Sequence, residues 1–163
     1  MTARSVGSPQ HVADGAGEAL WFLGSLVTVK VAGSQTDGRL SVVEFLNPPG
    51  FAPPMHRHTL EDEVFFLLAG TARFFCGDDE LAAGPSDVVL LPHGLPHSFL
   101  VDAGAPLRTL QITTPGGFEG FAREAGGPAA ARVIPEPAAI DPARLGHIAG
   151  LHGIEILGPP PQG

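Results

Sequence analysis

The chain of 163 residues has a single cysteine, Cys76. An internal disulfide is therefore excluded, and so are a thiolate zinc cluster and a dithiol redox pair. Any bound metal must sit on nitrogen and oxygen. Basic residues are also scarce, with nine Lys and Arg against seventeen Asp and Glu for a formal charge of −8, and they form no run or stripe. A phosphate-backbone partner needs such a stripe, so no nucleic acid is expected. Long apolar runs are missing as well: no stretch approaches the ~18 residues of a membrane-crossing helix. The opening "MTARSVGSPQHVADGAGEAL" has no basic segment followed by an apolar one, which a secretory signal requires. The expectation is a cytoplasmic protein without a membrane partner. No segment repeats, and no second domain is visible.

What is present is a globular composition, 44% hydrophobic and only 16% charged, at a length that buries a core without staples. From Leu20 to Leu107, short apolar and β-branched stretches are broken at close intervals by Gly, Pro, Asn and Asp. That texture belongs to an all-β sandwich or barrel. Candidate strands are "LVTVKVA", "LSVVEFL", "MHRH", "EVFFLLAG", "TARFFCG", "DVVLLP", "HSFLV" and "LRTLQIT". Gly70 and Gly77 stand in "AGTA" and "CGDDE", where hairpin turns call for positive φ. After residue 115 the pattern changes. "GGFEGFAREAGG" reads as a short helix, and "DPARLGHIAGLHG" as a second one with Asp141 as cap and Pro142 in the first turn. The organisation expected is an N-terminal arm over 1–19, a barrel over 20–115, and a helical extension over 116–163 with a Pro-rich end, packed outside the barrel.

Chemistry concentrates in "GFAPPMHRHTLEDEVFFLLAG", residues 50–70. In a strand, residues i and i+2 share a face, so His56 and His58 present two imidazoles about 6.6–6.8 Å apart along the chain. Glu63 opens the next strand on the face shared by Phe65, Leu67 and Ala69. On an apolar wall a lone carboxylate is costly unless a cation or a proton compensates it. Glu61 and Asp62 are its neighbours, and the trio also reads as a solvated turn, with Glu61 as the alternative ligand. His97, in "PHGLPHSFLV", opens another strand and shares its face with Phe99 and Val101. Three imidazoles and a carboxylate suit a divalent transition ion (Fe, Ni, Mn, Co, Cu or Zn) better than Ca or Mg. They leave positions open for water, dioxygen or substrate, the mark of a catalytic rather than a structural ion.

These residues carry a resemblance. The sequence resembles the cupin superfamily, whose first motif G-x5-H-x-H-x4-E-x6-G is met by Gly50, His56, His58, Glu63 and Gly70. Of the second motif, G-x5-P-x-G-x2-H-x3-N, the chain supplies Pro92, Gly94 and His97. Ser86 stands where the opening Gly belongs and Val101 where the closing Asn belongs. The resemblance implies a double-stranded β-helix, or jelly-roll barrel, with one divalent metal held by His56, His58, Glu63 and His97, and a homodimer. The single-domain layout is similar to bacterial quercetin 2,3-dioxygenase-like monocupins. This implies a flavonol or related enolisable substrate cleaved with dioxygen, with Glu63 as catalytic base toward the substrate hydroxyl.

The wall residues Phe65, Leu67, Phe99 and Val101, with one of Phe74 or Phe75, would line an apolar cavity without Lys or Arg. A planar aromatic or polyketide-like molecule suits it better than oxalate or a sugar phosphate. Gln111 is a further candidate for the interior, its register open. Two other functions share these features: a metal-dependent cyclase, isomerase or dehydratase that uses no dioxygen, and a non-catalytic small-molecule-binding barrel. The remaining histidines (His11, His93, His147 and His152) read as solvated, and Cys76 as a buried small residue.

Overall fold

The structure, a computed structural model, describes residues 7–163. In chain order its elements are β1 (Glu18–Phe22), β2 (Ser25–Val31), a 3₁₀ turn (Gly33–Thr36), β3 (Ser41–Asn47), β4 (Met55–His58), β5 (Asp62–Ala69), β6 (Ala72–Cys76) and β7 (Asp79–Ala83). There follow β8 (Val88–Leu91), β9 (His97–Val101), β10 (Leu107–Thr114), α1 (Phe118–Ala125), β11 (Gly127–Pro128), α2 (Pro142–Leu151) and β12 (Ile154–Gly158). The described residues are 41% strand and 14% helix. No helix among the described residues is long and apolar enough to cross a membrane.

The strands form where the sequence alternates. Along β3, β5, β6 and β10 every second residue is buried, so each strand turns one row inward and leaves the other on the outer face; the inward row is mainly apolar in β5 and β6 and largely polar in β10, with Thr109, Gln111 and Thr113. Two sheets result: a seven-stranded one ordered β11-β1-β2-β3-β10-β5-β8 and a five-stranded one ordered β12-β4-β9-β6-β7, every described pairing antiparallel. From β3 to β6 and again from β7 to β10 consecutive strands alternate between the sheets, which gives the jelly-roll barrel anticipated from the sequence.

The turns follow the predicted glycines. Gly70 at φ +81 joins β5 to β6, and Gly77 at φ +58 joins β6 to β7. At Gly70 a side chain would also run into the backbone of Pro106 and Leu107. Ser86, which stands in place of the family glycine, nevertheless adopts the glycine conformation, with φ +72. The turn before β8 is therefore kept, at the steric cost of a Cβ in the left-handed region.

Two clusters fill the interior. One gathers Phe22, Val27, Val43 and Phe45 with Phe118, Phe121, Leu145 and Ile154 from beyond the barrel strands; the other gathers Phe65, Leu67, Phe74, Leu91, Phe99 and Val101. Each fully buried phenyl contributes about 1.5–3 kcal/mol of transfer free energy, so Phe118 and Phe121 anchor α1 firmly. The cap on α2 is as predicted: the Asp141 carboxylate accepts from the backbone N–H of Ala143 at 3.0 Å and of Arg144 at 3.2 Å.

The extension after residue 115 departs from expectation in two respects. Besides its two helices it contains β12, which pairs with β4 through Ile154 opposite His58 and Ile156 opposite His56. It also does not lie outside the barrel. Phe118, Phe121, Leu145 and Ile154 are all buried in the core cluster that closes one end of it. The sequence pattern of β12 is short and follows a helix directly, so nothing local distinguishes it from a tail. Its pairing partner is almost a hundred residues away in sequence, as the ion pair between Arg57 and Glu155 illustrates (|i−j| of 98). At the other end, β1 begins at Glu18 and so runs across the expected arm–barrel boundary, while residues 1–6 of the arm lie outside the described residues.

Candidate metal centre

His56, His58, Glu63 and His97 converge, each offering one ligand atom, and these atoms all lie within 4.8 Å of one another. The two sheets build the cluster jointly. On the five-stranded sheet, β4 supplies His56 and His58 from one face, and β9 supplies His97 directly opposite His56. On the seven-stranded sheet, β5 supplies Glu63, between Thr113 of β10 and Leu91 of β8. An ion here would tie the sheets together across the barrel interior.

The second nitrogen of each ring is occupied. His56 Nδ1 donates to the Pro54 carbonyl at 2.7 Å, His97 Nδ1 to the Leu95 carbonyl at 3.1 Å, and His58 Nδ1 to the Glu61 carboxylate at 2.7 Å. An acceptor at Nδ1 fixes the proton there, which leaves the Nε2 lone pair free to face the cluster. Glu61, the alternative ligand in the sequence reading, thus supports a ligand rather than acting as one. Its negative charge makes His58 the most electron-rich of the three imidazoles.

What the free lone pairs face is decisive. His58 Nε2, His97 Nε2 and Glu63 Oε2 are buried and have no hydrogen-bond partner. His97 Nε2 lies 2.6 Å from Glu63 Oε2 and His58 Nε2 lies 3.3 Å from Glu63 Oε1, yet no hydrogen bond runs along either line. The three atoms converge on one buried place. Three orphaned polar atoms in one buried place would cost several kcal/mol, about 1–3 each. A divalent ion satisfies all three at once. Ligand bonds of about 2.0–2.2 Å place ligand atoms up to about 4.2 Å apart, close to the observed spread. The residues present fit a transition ion.

The charges agree. Burial would push the Glu63 carboxyl up, but His58, His97 and His56 outweigh it and hold its pKa at about 2. Burial, reinforced by His97 and His58, depresses His56 to about 4 despite the opposing pull of Glu63 and the Pro54 carbonyl, so it stays neutral and available as a ligand. Burial also works against a charge on His58, but Glu63 and Glu61 overcome it and raise its pKa above the ordinary histidine value. In the metal-free cluster Glu63 is therefore ionised and His56 neutral near neutral pH, while His58 takes a proton more readily than an ordinary histidine.

Glu63 is further fixed by Gln111 of β10, whose amide Nε2 donates to Glu63 Oε1. This role was not assigned from the sequence, where the register of β10 was open. Gln111 pairs with Phe65, two residues beyond Glu63 on the same face, after a bulge between Arg108 and Thr109.

The cluster opens into a narrow cavity of about 60 Å³ between the two core clusters. Phe65 and Phe99 line it as predicted, along with Phe22, Phe45 and Phe118. Leu67 and Val101 do not; both are sealed in the packed core, at 0% and 1% exposure. Phe65, Phe74 and Phe99 pack with ring centroids 5.4–5.8 Å apart in the same core cluster as the two aliphatic residues. Sequence alternation gave their face correctly but not their depth. Conversely Phe118, whose ring stacks 6.2 Å from that of His58, could not be placed from the sequence, since its helix is remote from both motifs. No Lys or Arg lines the cavity among the described residues. Elsewhere, His93 is exposed and bound to Asp62, His147 is exposed, and His152 is half-buried against Glu124.

Comparison with known proteins agrees with this architecture. Residues 43–113, which span both motifs, match the Cupin domain family. A quercetin 2,3-dioxygenase from Bacillus subtilis (strain 168) is 29% identical over 133 residues, 81% of this chain; the chain spans 39% of that relative's length. Among solved structures, a predicted oxalate decarboxylase from Thermotoga maritima superposes with a TM-score of 0.59 at 16% identity, covering 65% of this chain and 99% of that one. Streptomyces Pac13, a nucleoside dehydratase, superposes with a TM-score of 0.56 at 15% identity, covering 78% of this chain and 95% of that one. At such identities the two structures speak to the fold alone.

Proposed function

The chain is a cupin-superfamily protein similar to quercetinase-like proteins, and from that premise we propose that it is a metal-dependent dioxygenase that cleaves a flavonol or related enolisable aromatic compound with dioxygen. The observation that carries the proposal is the set of buried, unpartnered lone pairs of His58, His97 and Glu63 beside an aromatic cavity without cations. A planar, largely neutral molecule suits such a cavity, whereas a small dianion would find no counter-charge there beyond that of the ion, which Glu63 already half offsets. The ion, when bound, supplies Lewis acidity toward a substrate oxygen and a centre at which dioxygen can react.

The chain's own residues do the rest. Phe65, Phe99 and Phe118 hold an aromatic ring and exclude water. His56, His58 and His97 present neutral nitrogens because their Nδ1 protons are tied to Pro54, Glu61 and Leu95. Glu63 fits the role of ligand better than that of resident base: with a pKa held at about 2 it has little appetite for a proton. It becomes an acceptor for the substrate hydroxyl only as the imidazoles' pull is diverted.

The test is direct. Protein loaded in turn with Fe, Ni, Mn, Co, Cu and Zn is mixed with a flavonol panel, and oxygen uptake and carbon monoxide are measured. Uptake with at least one ion, abolished by His58→Ala, is expected. Silence with every ion removes the dioxygenase reading, and turnover under strict anaerobiosis would favour the cyclase, isomerase or dehydratase class instead. The same reading includes a homodimer in the cytoplasm. Support for the dimer comes from the outer face of the seven-stranded sheet, where Val88 and Leu90 are 64% and 56% exposed beside Val64 and Phe66 of β5. Analytical ultracentrifugation showing only monomer at tens of micromolar would contradict it.

A further inference from the structure

Apart from the four cluster residues, Gln111 contributes the only polar side chain lining the cavity among the described residues. Its amide is not free to point either way. Nε2 donates to Glu63 Oε1, and a flipped amide would set two oxygen lone pairs against each other, so the assignment of nitrogen and oxygen follows from the neighbour. The carbonyl Oε1 must then turn away from Glu63. No described residue donates to it and it is not among the sealed, unpartnered atoms, so it keeps a small exposure on a residue that is otherwise buried and lines the cavity. Phenyl rings, prolines and aliphatic side chains make up the remaining wall. A bound molecule thus meets a single fixed acceptor next to the ligand cluster.

We propose that Gln111 is the specificity-determining residue of this cavity: its side-chain carbonyl accepts a hydrogen bond from a substrate hydroxyl beside the metal-facing oxygen, and so selects neutral hydroxyl-bearing aromatic compounds over carboxylates. The selection works in both directions. A hydroxyl satisfies Oε1, whereas a ligand without one leaves a desolvated acceptor unpaired. A carboxylate sets its own oxygens against Oε1, and with no Lys or Arg in the lining its charge meets only the bound ion, which Glu63 already half offsets. Because Gln111 also holds Glu63, the residue that orients the substrate is linked through one amide to the residue that binds the ion.

This inference takes from the proposed function only that the cavity is the substrate site; it does not require dioxygen chemistry. The experiment is accordingly an anaerobic binding cycle on Co(II)-loaded protein, read by ligand absorbance, with 3-hydroxyflavone, its 3-methyl ether and oxalate as probes. In the wild type, 3-hydroxyflavone is expected to bind more tightly than oxalate. Gln111→Met should lose about tenfold in affinity for 3-hydroxyflavone, the worth of one such hydrogen bond. Affinity for the methyl ether should be unchanged, so that removal of the hydroxyl and removal of the amide do not add. Because Gln111 also holds the ligand Glu63, affinities are compared only on protein shown by mass spectrometry to carry one cobalt ion per chain. Equal weakening of both flavones, no change in either, or wild-type preference for oxalate would each overturn the proposal. Gln111→Asn, which withdraws the same amide by one methylene, repeats the test should the Met variant not fold, and the wild-type comparison with oxalate needs no variant at all. Failure of the oxygen-uptake assay would leave these binding outcomes standing, and the reverse also holds.

Discussion

Loading the centre with metal must expel a proton, and the structure says from where. In the metal-free cluster Glu63 is ionised, since its pKa lies near 2, and His56 is neutral down to about 4. His58 is the exception. Burial disfavours its charge, but Glu63 and Glu61 raise its pKa above the ordinary 6.5, so below that raised value a proton occupies the group that must be neutral to bind an ion. Lowering the pH therefore costs metal affinity in two stages. From His58's raised value downward, apparent affinity falls about tenfold per pH unit, or about 1.4 kcal/mol. Below about 4, where His56 also protonates, the slope doubles. Glu63 does not compete over this range. The assay is calorimetric titration of the metal-free protein with Co(II) or Zn(II) at pH 5.5, 6.5 and 7.5, in buffers of different ionisation enthalpy so that released protons are counted. About one proton per ion is expected at pH 5.5, with fewer at pH 7.5. In Glu61→Gln, which keeps a hydrogen-bond acceptor but removes the charge, the break should move to lower pH and the proton count at pH 6.5 should drop. Affinity that is flat from pH 7.5 to 5.5, or a proton count near zero at pH 5.5, would refute the reasoning.

Three further outcomes follow from packing and backbone. Ser86→Gly relieves a left-handed residue at φ +72 and should stabilise the protein by about 1 kcal/mol, a rise of about 2–4 °C in melting temperature for a domain of this size; a fall would show that the serine side chain is needed. Gly70→Ala combines φ +81 with a collision against the Pro106 and Leu107 backbone and should cost more than about 2 kcal/mol, measured by urea unfolding. Phe118→Ala opens a void between α1 and His58 and should cost about 3–5 kcal/mol while leaving all four ligand side chains in place; metal content that falls to zero in folded protein would show instead that the ring is required to hold the centre.

Many local features were legible in the sequence because each depends on neighbours in the chain, although β1, β7 and β12 were not among the expected strands. Alternation placed His56 and His58 on one face and Glu63 with Phe65 on another; the spacing of the two motifs supplied His97; Gly70, Gly77, Asp141 and Pro142 marked the turns and the cap. The resemblance carried by those same residues supplied the barrel. The tertiary structure settled whatever depended on register between distant strands. A period of two tells which way a side chain points but not how far along the barrel axis it sits, so Leu67 and Val101 shared the correct face and still fell outside the cavity lining. The bulge between Arg108 and Thr109 brings Gln111 onto Glu63, and a one-residue change in that pairing would have turned it outward. β12 reaches His56 and His58 only by closing a loop of almost the whole barrel, carrying Ile154 and Ile156 to the cavity wall. The ligand set belongs to the sequence, whereas the shape and polarity of the space around it belong to pairings between residues remote from one another in the chain.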